Sequence, residues 1–111
     1  MKYAWIAGGA AIGGVARYAL STTLPLPFPW QTFVVNLIGG AMIGYFSHRL
    51  TGDSRFFWIT GICGGFTTFS TFSIEVVTLL EQGRLGMAGA YVVASSVLCV
   101  AAAAATYYWT R

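Results

Sequence analysis

Charge is scarce in this chain. Aspartate and glutamate together number 3 and lysine and arginine 6, so 8% of the 111 residues are charged while 57% are hydrophobic. Soluble domains average about 25% charged residues, and a chain this poor in charge is not one. The net charge of +3 comes from scattered single residues, which excludes the basic patch that nucleic acid requires. Cysteine is limited to Cys63 and Cys99, both inside apolar runs. A disulfide framework is thereby excluded, and each thiol reads as a small apolar packing residue. His48 is the single histidine, and no second metal-type ligand accompanies it. GxSxG, HExxH and P-loop patterns are all missing, so nothing supports an enzyme.

What remains is an all-α integral membrane protein in a single domain, 1–111, surrounded by lipid bilayer. A spanning helix needs roughly 20 apolar residues. Four fit, at about 3–21, 31–49, 56–80 and 85–109. The stretch from Lys2 to Gly14-Val15-Ala16 mimics a secretory signal. Its glycines, the Arg17 that follows and the membrane-embedded remainder favour a retained helix. Lys2, Arg49, Arg55 and Arg111 fall on one side of the membrane, Arg84 and Arg17 on the other. Four against two is a weak bias, compatible with insertion in both orientations and an antiparallel dimer.

The first helix carries Gly9 and Gly13 as a GxxxG pair, with Ala10 and Gly14 beside it. Small residues at this spacing let membrane helices approach closely. Arg17 either snorkels to the interface or pairs with a polar group inside the assembly. Pro25, Pro27 and Pro29 force an extended connection, and Trp30 follows at interface depth. In the second helix Asn36 is the one strongly polar interior residue, and Gly40 and Gly44 form a second small-residue face. Asn36 is either an interhelical hydrogen-bonding group or a pore-lining amide. In the fourth helix Tyr91, Ser95 and Cys99 share one stripe at i, i+4, i+8, either a polar track or ordinary helix packing. Tyr107, Tyr108 and Trp109 make an interfacial belt.

The third helix is expected to break. Gly61-Ile62-Cys63-Gly64-Gly65-Phe66-Thr67-Thr68-Phe69-Ser70-Thr71-Phe72-Ser73 combines three glycines and five hydroxyls with a phenylalanine ladder at membrane depth. Non-helical backbone is tolerated there only where protein buries it or a polar cavity receives it. Unwinding near 64–68 frees carbonyls suited to a hard cation such as Na⁺. The half-helix that follows offers its N–H groups and positive dipole end to an anion. Phe66, Phe69 and Phe72, spaced by three, are expected along one side, as packing bulk or as ring edges turned to a small anion. Glu75 is a carboxylate within the span, a functional group by default unless it pairs with Arg17.

These residues resemble the Fluc (CrcB) fluoride channels along essentially the whole chain. The likeness rests on Gly8-Gly9 through Gly13-Gly14-Val15-Ala16-Arg17-Tyr18, on Thr32 through Asn36-Leu37-Ile38-Gly39, and above all on Gly64-Gly65-Phe66-Thr67-Thr68-Phe69-Ser70-Thr71-Phe72-Ser73 with Glu75. The resemblance implies an antiparallel, dual-topology homodimer in the cell inner (plasma) membrane. It implies passive export of fluoride along Asn36, Phe69, Phe72, Ser70, Tyr91 and Ser95, with Arg17 near the vestibule. It also implies a structural Na⁺ at the dimer centre, held by the backbone carbonyls of Gly64 and Thr67. Where the family commonly has a hydroxyl, this chain aligns Cys99. A rival of similar size is the small dual-topology multidrug/proton antiporter. That class needs a carboxylate in the first helix, and none is present here.

Overall fold

The computed structural model describes residues 1–109, so Arg111 lies outside the described residues. The chain is helical almost throughout: α1 is Lys2–Thr23 and α2 is Trp30–Phe46. α3 covers 52–66 as one continuous helical run, with α-helical Gly52–Arg55, π-helical Phe56–Cys63 and α-helical Gly64–Phe66. α4 is Ser70–Glu81 and α5 is Leu85–Trp109. No strand occurs among the described residues. The connections follow from their residues. The proline-spaced segment 24–29 is non-helical, and Gly83 takes the left-handed φ of +73° that closes the turn into α5.

α1 packs chiefly on α3, and α2 chiefly on α5. Both contacts run through the small-residue faces. A Cβ at Gly9 would strike the Phe57 carbonyl and one at Gly13 the Ile62 carbonyl. A Cβ at Gly44 would strike the Ala103 carbonyl, and one at Gly40 would lie 2.8 Å from the Cys99 carbonyl. The two GxxxG pairs therefore set backbone-to-backbone approach, as such pairs do in membrane helices.

The buried core is small, centred on Leu79, Ala88 and Tyr91, with Trp30, Phe33 and Phe72 packed around it. Large apolar side chains such as Ile12, Val15, Val93, Val97 and Val100 point outward. A water-soluble protein rarely exposes so much contiguous apolar surface. Among the described residues, two stretches are long and apolar enough to cross a membrane: Gly52–Glu81, of 30 residues with an 18-residue window of mean hydropathy 1.3, and Leu85–Trp109, with one of 1.9.

The break falls at the C-terminal end of the expected stretch 64–68, and the next helix starts at Ser70. Gly64 and Gly65 stay helical, and the chain leaves the helix at Thr67, at φ −83° and ψ 153°. The reason is packing: a Cβ at Gly65 would come within 2.6 Å of the Ala10 carbonyl. Gly65 thus admits α1 rather than unwinding α3. Other edges differ from those expected. Residues 47–49 form a turn after α2, where Arg55 donates to the Ser47 carbonyl at 3.1 Å, and α3 begins at Gly52 rather than at 56.

Candidate functional site

The break is a short segment, 67–69, between two helix ends. The C-terminal end of α3 leaves carbonyls without intrahelical partners, and the N-terminal end of α4 leaves N–H groups. Buried in an apolar surrounding, each would be costly unless paired. The local sequence supplies partners. The Thr67 hydroxyl donates to the Cys63 carbonyl at 3.0 Å, and the Thr68 hydroxyl accepts from the Thr71 N–H at 3.3 Å. The Ser73 hydroxyl donates to the Phe69 carbonyl at 2.9 Å. The hydroxyls of this run thus serve the backbone first.

Two side chains reach the break from other helices. Asn36 of α2 clamps Thr68 from both directions: its amide donates to the Thr68 carbonyl at 3.1 Å, and its oxygen accepts from the Thr68 N–H at 2.9 Å. Of its two amide hydrogens, one remains. Arg17 of α1 donates from Nε to the Gly65 carbonyl at 3.2 Å. A cation at the C-terminal end of a helix is favoured by the helix dipole, which accounts for a charged side chain at this depth.

Glu75 does not pair with Arg17. Its carboxylate accepts from the Thr32 hydroxyl at 2.9 Å and from the Tyr91 hydroxyl at 2.8 Å. The cause is rotational. Thr32 lies one turn before Asn36 on the same face of α2, while Tyr91 approaches from α5 and is fully buried. Arg17 serves the end of α3 instead. The Tyr91 proton is therefore directed at Glu75, and its ring packs on Phe72 at 4.9 Å between centroids and on Trp30 at 5.7 Å.

Beside the break lies an open cleft of about 440 Å³ between α2 and α5, walled by Asn36, Thr68, Phe69, Phe72, Ser95 and Cys99 among others. The phenylalanine ladder does not run along one side of a helix, because the chain leaves the helix between its members. Phe66 is buried, and its ring stands against Gly39. Phe69 is 76% exposed at the cleft edge, and Phe72 forms part of the wall. The rings of Phe69 and Phe72 lie 5.6 Å apart, tilted by 39°. Ser95 is the other distinctive group. Its Oγ is buried and without a hydrogen-bond partner.

Of the residues singled out from the sequence, Asn36, Phe69, Phe72, Ser95 and Thr67 meet in this cleft. Tyr91 lies behind its wall, bound to Glu75. Ser70 is exposed, with the Thr68 hydroxyl 3.5 Å away, and Arg17 caps α3 from α1. Gly64 is exposed at the end of α3. Sequence reasoning missed Thr32, whose position one turn from Asn36 was the available signal. Cys99, marked in the sequence as a member of the Tyr91/Ser95 stripe, is also part of the cleft wall.

A helical, apolar-surfaced chain, with a largely apolar cleft that gathers a few polar side chains at a broken helix, belongs to the class of membrane proteins. A family model described as "CrcB-like protein, Camphor Resistance (CrcB)" matches residues 4–107. Curated proteins agree. The "Fluoride-specific ion channel FluC" of Opitutus terrae is 45% identical over 112 residues, covering 90% of this chain and 85% of that protein. "Fluoride-specific ion channel FluC 1" of Nitrobacter hamburgensis is 43% identical over 115 residues, covering 92% and 91%. The FluC of Agrobacterium fabrum is 44% identical over 112 residues, covering 92% and 90%. The chain belongs to the CrcB family of fluoride channels.

Proposed function

We propose that this chain is a fluoride-specific ion channel that lets fluoride leave the cytoplasm passively across the cell membrane. The observation that carries the reading is the buried, unpartnered Ser95 hydroxyl in a cleft shared with Asn36 and Phe72. A buried polar group without a partner costs about 1–3 kcal/mol, and an anion accepting from it would remove that cost. Fluoride is small and strongly hydrated, so its pathway must replace water with oriented donors. The Ser95 O–H, the second Asn36 amide hydrogen and the positive edges of the phenylalanine rings are such donors. Larger halides fit a narrow set of donors less well.

The working unit in this reading is an antiparallel homodimer of four-span subunits, with α3 and α4 acting as one interrupted span. The cleft supports this. It is open on one side, and Phe69 at its edge is 76% exposed, so one subunit does not enclose a path. The molecule's longest extent is 47 Å, comparable with a bilayer of about 40–45 Å including its headgroups.

A structural Na⁺ fits the donors present. Among the described residues no hydrogen bond reaches the carbonyls of Gly64 and Thr67, and hard cations take such oxygens. The neighbouring carbonyls of Gly65 and Thr68 are occupied by Arg17 and Asn36, whereas those of Gly64 and Thr67 stay available to an ion shared with a second copy. Bound there, Na⁺ would supply a positive charge that ties two breaks together. In liposomes loaded with fluoride, the protein should release fluoride, and Phe72→Ile should lose flux while the dimer stays intact. Normal flux in that variant would refute the role given to the ring.

A further inference from the structure

We propose that Glu75 is a positioning residue of the ion pathway: acting through Tyr91, it fixes the Phe72 ring at the cleft wall and thereby sets how well fluoride is told from larger halides. The inference rests on the channel reading above and adds a specificity-determining group to it.

The channel reading leaves Glu75 without a task. A carboxylate repels a passing anion, yet this one lies on α4 one helical turn from Phe72 and on the same face. Its hydrogen-bond partners account for it. One oxygen accepts from the Thr32 hydroxyl of α2 at 2.9 Å and the other from the Tyr91 hydroxyl of α5 at 2.8 Å, so the carboxylate ties three helices together. The tie is shielded from the surroundings, with Thr32 buried and Tyr91 fully so.

The tie ends on a ring of the cleft wall. With its hydroxyl held by Glu75, Tyr91 sets its ring 4.9 Å from that of Phe72, inclined by 52°, and meets Trp30 edge-on at 5.7 Å. Tyr91 is thereby fixed at its hydroxyl by the carboxylate and along its ring by Trp30. The other ring contact of Phe72 among the described residues is with Phe69 at 5.6 Å, a side chain that is 76% exposed and constrains it little. Groups that discriminate by fit must be held within about 0.5 Å of their working geometry by packing and hydrogen bonds. For the Phe72 ring, Tyr91 is the rigid support and Glu75 its anchor. A ring released from that support leaves a wider passage, which favours the larger halide. Glutamine at position 75 keeps the arrangement, since its oxygen accepts from Tyr91 and its amide donates to the Thr32 oxygen. Alanine removes it.

The test uses full-length protein in liposomes loaded with fluoride and chloride, both followed by selective electrodes, and reads the ratio of the two rates. A variant that merely folds less well slows both ions alike and leaves the ratio unchanged. Glu75→Ala should lower the ratio by about tenfold, the upper end of what one aromatic pair contributes, and Glu75→Gln should keep it. Tyr91→Phe retains the ring but frees it from the carboxylate. It should lower the ratio as well, and adding Glu75→Ala to it should lower it no further. An unchanged ratio in Glu75→Ala would overturn the proposal. So would a Glu75→Gln variant as unselective as Glu75→Ala, or a full additional effect of Glu75→Ala on top of Tyr91→Phe. If Glu75→Ala does not assemble, Thr32→Val takes its place by removing the α2 end of the tie, and an unchanged ratio there overturns the proposal equally. Wild-type protein that passes no fluoride would instead overturn the channel reading. The ring is then read directly, by NMR of detergent-solubilised protein carrying isotopically labelled phenylalanine, with the Phe72 signal identified by its absence in Phe72→Ile. That signal should broaden in Glu75→Ala and not in Glu75→Gln, and a signal unchanged in Glu75→Ala would overturn the positioning role.

Discussion

Replacing Asn36 separates two roles that the structure places on one amide. In Asn36→Leu both hydrogen bonds to Thr68 are lost, and the Thr68 N–H and carbonyl are left in an apolar site. Each intact bond contributes about 0.5–1.5 kcal/mol net, and each orphaned group costs about 1–3 kcal/mol. Measured side-chain bonds in membrane helices are weaker, near ~0.6 kcal/mol on average, because unfolded helices also find partners there. Taking the lower half of these ranges, the leucine variant should lose about 2–3 kcal/mol of stability. Asn36→Asp keeps an acceptor for the Thr68 N–H but loses the donor to its carbonyl, and should lose about half as much. Its added negative charge faces the cleft, so fluoride flux should fall further than stability does. Unfolding in mixed micelles, followed by tryptophan fluorescence, measures the first quantity, and fluoride release from liposomes measures the second. A leucine variant within ~0.5 kcal/mol of the parent, the range of an ordinary surface substitution, would refute the clamp. A leucine variant that is destabilised but conducts at the parental rate would refute the amide's part in the pathway.

Gly13→Ala should destabilise the subunit by about 1–3 kcal/mol, the usual cost of overpacking, because its methyl group meets the Ile62 carbonyl; the same unfolding assay checks it. Tyr91→Phe leaves one Glu75 oxygen without the hydroxyl that bonds it at 2.8 Å, and should cost about 1–3 kcal/mol while keeping the ring packing on Phe72. A stability equal to wild type would show that the Thr32–Glu75–Tyr91 cluster is not structural. Exchange of Na⁺ for a large organic cation should weaken dimerisation if the Gly64 and Thr67 carbonyls hold the ion, and a dimer unchanged by size-exclusion chromatography would count against that site.

Much of this was legible along the chain, and the reasons for the rest are specific. The interruption of the third helix could be read from Gly64-Gly65 followed by threonines and serines, because helix-weakening residues concentrate there. Where within 64–68 it falls could not, since glycine both unwinds helices and admits neighbours. At Gly65 the second use prevails, and only the position of Ala10 reveals it. The close-packed faces Gly9/Gly13 and Gly40/Gly44 were visible as spacings, but the helices they meet were not. Asn36 stands out in the sequence as a polar group within a span, open to two readings. Its partner, the Thr68 backbone 32 residues away, leaves no trace in either local sequence. The phenylalanine ladder misled for a related reason. A spacing of three means one face only while the helix continues, and here it stops between Phe66 and Phe69. Glu75 followed the same logic: charge suggested Arg17, whereas helix rotation delivered the hydroxyls of Thr32 and Tyr91.

The central claim is that a cleft of hydroxyl, amide and phenylalanine groups at a helix break passes fluoride in preference to other anions. Purified protein in liposomes loaded with equal fluoride and chloride, with both ions followed by selective electrodes, tests it directly. Fluoride should leave rapidly while chloride is retained. Equal release of the two halides, or retention of both, would contradict the account.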